Sequence, residues 1–486
     1  MSRLKEAISQ RTGWETDLKP FLHKELPSNP GWSATLGSLC ALLFAVMVAS
    51  GMFLAMYYNP SPDKAYQSID YITNEVPLGS VLRGIHHWGA GAMILAVLAH
   101  LATVFFYGSF KAPRELTWIM GVCLLLATLG LGFTGYLLPW DQKAYWATVV
   151  SANIPKEIPV VGDLLTRLLL GGEGVSGLTL TRFYSIHMLL LPALMAILIT
   201  GHVYLVRLHG VCEHPGKQTP SKETARPHED RLYRFFPEHL ARGSVMFLLV
   251  FVVIILLSLF APIPGDQVAG TVDDSYLPRP EWYYLWLFQL LTYFSGPTEV
   301  IGSLLVPTAA IFLLFALPFL EKSGLKGAAD RPLATAGGVM CIVGIAYLTL
   351  TGFAGARPYG QIVVVPDRPL TRTEATGLQL YVRQDCAYCH HIRGKGGRRV
   401  GPDLANIKAK GRTASDLKAF IKDPQSRSAW AIMPKYDLGE DKLSALSDFI
   451  RALDFSDTPE KPLRKEEVPG RQSDSMTGTQ VASTGK

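Results

Sequence analysis

The sequence predicts an all-α, polytopic membrane protein: seven transmembrane helices, four in a bundle that carries the chemistry, then a small soluble helical module. Three observations predict it. Hydrophobic residues make up 49% of the 486 and charged residues only 18%, with a mean hydropathy of +0.21. Seven apolar stretches reach the ~20 residues that a bilayer crossing needs: 33–57, 81–106, 117–138, 183–206, 243–261, 301–320 and 333–354. After the last stretch the chain turns polar for its final 130 or so residues. A net charge of +6, dispersed along the chain, leaves no footprint for a nucleic-acid partner.

Orientation follows from the positive-inside rule. The connections 1–31, 108–116, 207–240 and 321–332 hold sixteen Lys/Arg, and the alternate connections 59–79, 139–181 and 261–299 hold five. The N-terminus is therefore expected in the cytoplasm and everything after 354 outside. The opening thirty residues are polar and charged, without the pattern of a cleavable signal, and Trp14 and Trp32 are candidate interface anchors.

Within the bundle, the second stretch carries His86, His87 and His100, and the fourth carries His187 and His202. An imidazole in hydrocarbon is costly without a partner. His86 and His100 are fourteen residues apart, roughly 21 Å along a helix and nearly four turns, so they point the same way at two depths. His187 and His202, fifteen apart, do nearly the same. Two helices that each offer an upper and a lower imidazole suit two flat metal macrocycles stacked across the membrane, which predicts a dihaem cytochrome. His87 is rotated off the shared face and reads as a packing residue.

The first and third stretches repeat the interval: Gly37 and Gly51, then Gly121 and Gly135. Glycine is common in membrane helices for packing alone. A helix beside a macrocycle also needs its side chains removed at the macrocycle's depth, and these four glycines fall at the two histidine depths. Arg83 and Arg207 are candidates to meet haem carboxylates; the simpler reading, strongest for Arg207, is a snorkelling arginine.

The long connection 139–181 opens with PWDQKAYWA (139–147), and 262–300 contains Pro280-Glu281-Trp282-Tyr283. A glutamate among aromatics near the apolar boundary is a candidate proton acceptor, because desolvation penalises its charged form. Taken alone, it reads more simply as a solvated acid in an interfacial aromatic belt.

Of six cysteines, Cys40, Cys123 and Cys341 lie in spans and Cys212 in a loop; only Cys386 and Cys389 have a telling spacing. Cys386-Ala-Tyr-Cys389-His390 is the pattern for covalent haem c: two thiols bond the vinyl groups and His390 ligates iron. Met433 is the methionine downstream that is expected as sixth ligand. Leu443, Leu446, Phe449, Ile450 and Leu453 recur at helical spacing and should pack on the module's first helix. The domains read as 1–210, a four-helix dihaem bundle; 211–356, a three-helix part; 357–371, an extended linker; 372–454, the haem c module; and 455–486, a disordered tail.

These motifs resemble a known family. R-x-x-H (Arg83–His86), GYLLPWDQ (135–142) and RFYSIH with the distal His202 resemble cytochrome b of the cytochrome bc complexes, in its chloroplast-type form. PEWY (280–283), PFLE (318–321) and RPLAT (331–335) resemble subunit IV, and 372–453 resembles a class I cytochrome c. The resemblance implies a bacterial quinol–cytochrome c reductase subunit in the inner membrane, coupled to proton translocation. It implies that His86 and His187 bind an outer haem b, and His100 and His202 an inner one, both non-covalent. It also implies that Glu281 and Tyr283 act in an outer quinol site lined by Pro280, Trp282 and Trp140. One electron would go to a Rieske iron–sulfur partner and the other through both haems to an inner quinone, within a homodimeric complex. A further cytochrome c subunit or soluble cytochrome c would be the onward acceptor. Chloroplast-type proteins hold an extra inner haem on a cysteine; Thr35 stands at that place and Cys40 is five residues late, which puts that haem in doubt. The alternative is a non-bifurcating dihaem conduit of a membrane dehydrogenase, a class that lacks the PEWY segment.

Overall fold

The computed structural model describes residues 31–212, 234–261, 263, 265–269, 279–294, 298, 300–354, 362–384, 386–396, 401–428, 431, 433–464 and 468, with 23 and 26 ahead of them. The lead-in with Trp14 and the tail after 468 lie outside the described residues. The chain divides into two compact units, one reaching to residue 350 and one running from 351 onward.

In the first unit, a 3-10 turn (Trp32–Thr35) leads into α1 (Leu36–Ala55). A short α2 (Ala65–Asn74) precedes α3 (Gly79–Phe106) and α4 (Glu115–Tyr136). The connection after α4 folds into α5 (Gln142–Asn153) and α6 (Gly162–Leu170). Next, α7 (Gly177–Ser185) and α8 (Leu191–His209) run together through a π turn at Ile186–Leu190. The remaining helices are α9 (Leu240–Phe260), α10 (Trp282–Leu291), α11 (Val306–Leu320) and α12 (Pro332–Ala354).

Among the described residues, seven helices are long and apolar enough to cross a membrane, and they coincide with the seven expected stretches. The fourth begins earlier than its apolar core, at Gly177, because Ser176 and Thr179 form a capping box that starts the helix there. These helices are apolar around their circumference, as lipid-facing spans must be; Leu249 and Val343, for example, stay largely exposed.

α1 packs on α3 and both pack on α9, while α4 packs on α8 and α11. Leu43, Met93, Ala96, Ala127, Met195 and Ile254 form the shared core. Close approach depends on small residues: a Cβ at Gly84 of α3 would lie 2.7 Å from the Cβ of Ser258 on α9.

A buried ionic clasp closes one end of α3. Glu321 pairs with Lys111 (Nζ–Oε1 2.9 Å) and with Arg331 (NH1–Oε2 2.9 Å). Arg331 also donates to the carbonyls of Phe105 and Phe106, the last residues of α3. A guanidinium there satisfies orphan carbonyls and complements the helix dipole. Lys111 donates to the backbone of Ser323 and Leu325. The PFLE and RPLAT segments thus tie α3, α4, α11 and α12 together.

The second unit is built on α13 (Arg372–Arg383) crossed by α17 (Glu440–Ala452). The crossing is close: a Cβ on Gly377 would lie 2.1 Å from the carbonyl oxygen of Ala445. Tyr381 and Phe449 meet there with ring centroids 5.4 Å apart. Leu443, Leu446, Phe449, Ile450 and Leu453 are all buried, as their spacing predicts. Between the two helices lie α14 (Cys386–Cys389), the small ladder β2 (His391–Ile392) with β3 (Lys395–Gly396), α15 (Ala414–Lys422) and α16 (Pro424–Arg427).

Two expectations change here. Residues 362–366 of the expected linker form β1 (Ile362–Pro366), and residues 460–464 of the expected disordered tail form β4 (Glu460–Arg464). They pair antiparallel, Ile362 opposite Arg464 and Pro366 opposite Glu460. The cause is the β-branched run Val363-Val364-Val365, which is 1%, 0% and 4% exposed in the unit's core. Tail composition is polar on average, yet Phe455 and Val468 are buried too.

Candidate functional site

His86 and His100 lie on α3; His187 lies in the π turn and His202 on α8. The ring centroids of His86 and His187 are 6.3 Å apart, and those of His100 and His202 are 6.5 Å apart. Two imidazoles gripping one metal ion from opposite sides at about 2 Å per bond hold their ring centres roughly 6 Å apart. Among the described residues, no three or more His, Cys, Asp or Glu side chains converge. The spacing of each pair fits two imidazole ligands for one haem iron, and these residues would hold it.

The π turn explains the unequal spacing. Pro192 has no N–H to bond the preceding turn, and the chain adjusts by an i→i−5 bond from Leu191 to Ile186. The turn holds one residue more than an α-turn would, so a fifteen-residue interval on this segment matches the fourteen of α3.

All four glycines seat imidazoles. A Cβ at Gly37, Gly51, Gly121 or Gly135 would lie 3.5, 3.1, 3.5 or 2.5 Å from Cε1 of His100, His86, His202 or His187 respectively. The absent side chains at these positions make room for the four imidazole rings. α1 and α4 contribute the glycines, and α3 and α7–α8 the histidines.

Neighbouring hydroxyls set the tautomer at one level. Ser50 donates its hydroxyl hydrogen to the Val46 carbonyl (2.8 Å), so it accepts from Nδ1–H of His86 (2.9 Å). Thr134 donates to the Gly130 carbonyl (2.8 Å) and accepts from His187 Nδ1–H (3.1 Å). Both rings then carry the proton on Nδ1 and leave Nε2 unprotonated. At the other level, Nδ1 of His202 is buried without a well-formed hydrogen bond, facing the Thr117 backbone.

Close to His87, Glu281 precedes α10 and accepts a hydrogen bond from Lys143 Nζ at 2.7 Å. Trp282 lies against Gly91, whose added Cβ would come 3.5 Å from the indole Nε1; Tyr283 lies against Gly132, at 3.2 Å. Tyr284 donates to the Leu129 carbonyl (2.5 Å), and Tyr136 donates to that of Arg279, just before Pro280 (3.1 Å). Burial pushes the Tyr283 phenol up, and the nearby Glu281 and Tyr284 add to it, so it stays a neutral donor. Trp140 is buried with Leu137, Ala144 and Phe183 and meets Tyr145 edge-on. The residue of its motif that reaches Glu281 is Lys143, which the sequence reading passed over.

Arg83 donates to the Thr73 hydroxyl (3.0 Å), and Arg207 lies over the Phe235 ring, 5.6 Å from its centroid. Thr35 is fully buried, with its hydroxyl on the Trp32 carbonyl (2.7 Å).

In the second unit, Cys386 and Cys389 bracket the single turn α14, and His390 follows with its N–H on the Cys386 carbonyl. Its Nδ1–H donates to the Pro402 carbonyl (2.9 Å), again leaving Nε2 free. A Cβ on Gly401 would sit 2.4 Å from the same ring. Burial holds the His390 imidazole below its usual range, which keeps it a neutral ligand. Tyr381 is fully buried near both thiols, and its hydroxyl has no partner among the described residues. Cys386 and Met433 border the same apolar core. This donor set, with an orphaned hydroxyl over it, fits a covalently held haem.

Comparison with known proteins agrees. Residues 23–210 match the family "Cytochrome b/b6/petB", 278–367 match "Cytochrome b(C-terminal)/b6/petD", and 374–454 match "Cytochrome c". The chain is similar to a cytochrome bc complex cytochrome b subunit of Chlorobaculum thiosulfatiphilum, at 33% identity over 66% of this chain and 73% of that one. It is similar to cytochrome b6 of Heliomicrobium gestii, at 45% identity over 37% of this chain and 84% of that one. Among solved structures it resembles a chain of a hyperthermophilic respiratory complex III, with a TM-score of 0.64, 28% identity, and 72% and 91% of the two chains covered. Two opposed histidine pairs, a C-x-x-C-H turn and these relatives lead to one conclusion: the chain belongs to the cytochrome b family of the cytochrome bc complexes, as a membrane-spanning electron-transfer subunit whose C-terminal part is a cytochrome c domain.

Proposed function

We propose that this chain is the quinol-oxidising membrane subunit of a proton-translocating quinol–cytochrome c oxidoreductase in a bacterial cytoplasmic membrane. Its N-terminus faces the cytoplasm and its cytochrome c domain faces outward, as the Lys/Arg asymmetry supports. One electron of the quinol passes to a Rieske iron–sulfur partner, and the other crosses the membrane to a quinone on the cytoplasmic side. His86 and His187 hold one haem b, His100 and His202 a second, and Cys386, Cys389, His390 and Met433 hold haem c. When bound, these haems supply one-electron transfer.

The chain's own residues do the rest. Glu281 takes a quinol proton, Tyr283 donates a hydrogen bond to the substrate, and the packed aromatics of α10 keep water from the site. The observation that carries the reading is the 280–283 segment seated on α3 and α4, with Glu281 close to His87, Trp282 against Gly91 and Tyr283 against Gly132. Glu281→Gln is expected to slow quinol-dependent reduction of added cytochrome c by about 10²-fold or more, with all haem spectra intact; unchanged turnover removes the proton role. For the c domain, Met433→Ala is expected to turn the haem high-spin or lower its potential; an unaltered c spectrum and potential excludes this ligand.

A further inference from the structure

The Lys143–Glu281 pair is not explained by packing. Lys143 occupies the first turn of α5, whose N-cap is Asp141, with its carboxylate on the Ala144 N–H at 2.8 Å. A cation is locally unfavourable at a helix N-terminus, so something must offset its placement there. The offset is the 2.7 Å bond to Glu281 Oε1, a contact spanning 138 residues of sequence. Lys143 also lies over the Tyr136 ring, 5.5 Å from its centroid, which steadies the long side chain against α4. The two side chains are only 35% and 20% exposed.

The bond divides the carboxylate. Oε1 is committed to Lys143, and among the described residues no hydrogen bond ends on Oε2. We propose that Lys143 is a positioning residue for quinol oxidation: it fixes the Glu281 side chain through Oε1 and turns Oε2 to the substrate as the proton-accepting oxygen. This rests on the reading of Glu281 as the proton acceptor. In the step itself, the quinol O–H bond breaks, an Oε2–H bond forms, and the electron pair stays on the quinol oxygen. The other charged and titratable groups around the pair are His87 and Arg83 on α3, Asp141 at the start of α5, and Tyr283 on α10. Lys143 is the group among them bonded to the carboxylate.

The test uses the whole complex in membranes, with 2,3-dimethyl-1,4-naphthoquinol as donor and cytochrome c as acceptor. Lys143→Met, and Lys143→Gln in parallel, should lower kcat by about tenfold with KM within about twofold of wild type, because the carboxylate is no longer held in place. The b-haem spectra stay at wild type, and Lys143→Arg restores kcat. Combined with Glu281→Gln, Lys143→Met should add less than twofold, because the lysine acts through the carboxylate. Wild-type kcat in both lysine variants overturns the proposal while a slow Glu281→Gln leaves the proton role standing. If Glu281→Gln itself runs at wild-type rate, both fall.

Discussion

The two ends of α3 each carry a carboxylate paired with a lysine, and the pairs differ in every other respect. Glu321 is gripped by Lys111 and by Arg331, whose side chains are 7% and 2% exposed. Both cations spend further hydrogen bonds on backbone carbonyls, in the loop 323–326 and at Phe105 and Phe106. Glu281 has one cation, partly exposed, and one oxygen uncommitted. A charge gripped from every side makes a joint. A carboxylate with one partner keeps its second oxygen available to another group.

That contrast can be broken by experiment. The largest effect is expected from Glu321→Ala, which strands two buried cations at a cost of about 3–5 kcal/mol. Its readout is a lowered melting temperature and less haem b per polypeptide; retention of both would reduce the clasp to decoration. Glu281→Gln should do the reverse, cutting turnover and leaving the melting temperature unmoved. A destabilised Glu281→Gln would mean the two ends are alike. The smallest effect concerns the His86–His187 level. Ser50→Ala removes the acceptor for His86 Nδ1–H and weakens electron donation by that ring. With a net hydrogen bond worth about 1 kcal/mol and about 59 mV per tenfold for one electron, the midpoint there should rise by roughly 40 mV. The His100–His202 level should hold still; a redox titration that moves both levels, or neither, refutes the assignment.

Much of this was readable from the chain. Apolar length is a local property, so the seven spans emerge within a few residues except where a cap starts the fourth at Gly177 and a π turn starts the fifth at Phe235. Ligand spacing is also local: once a helix is given, His86 and His100 must share a face, and Gly37 and Gly51 must mark the same two depths. C-x-x-C-H is a one-turn motif and needs no tertiary information. By contrast, the fifteen-residue interval at His187–His202 made sense only with the π turn before Pro192, since helix type is set by a backbone bond that no residue count displays.

What the tertiary structure alone decided are the contacts between distant segments. The sequence named Glu281 but not Lys143, and the histidines but not the hydroxyls of Ser50 and Thr134 that fix their tautomers. It quoted PFLE and RPLAT without the clasp they build, and read the tail's composition as disorder although Glu460–Arg464 has a valine-rich strand to pair with. The physical reason is common to all four. Periodicity and composition determine what a segment is and which way its side chains point, whereas the partner of a polar group depends on which helices lie within about 3 Å of one another after packing, and packing belongs to the whole chain.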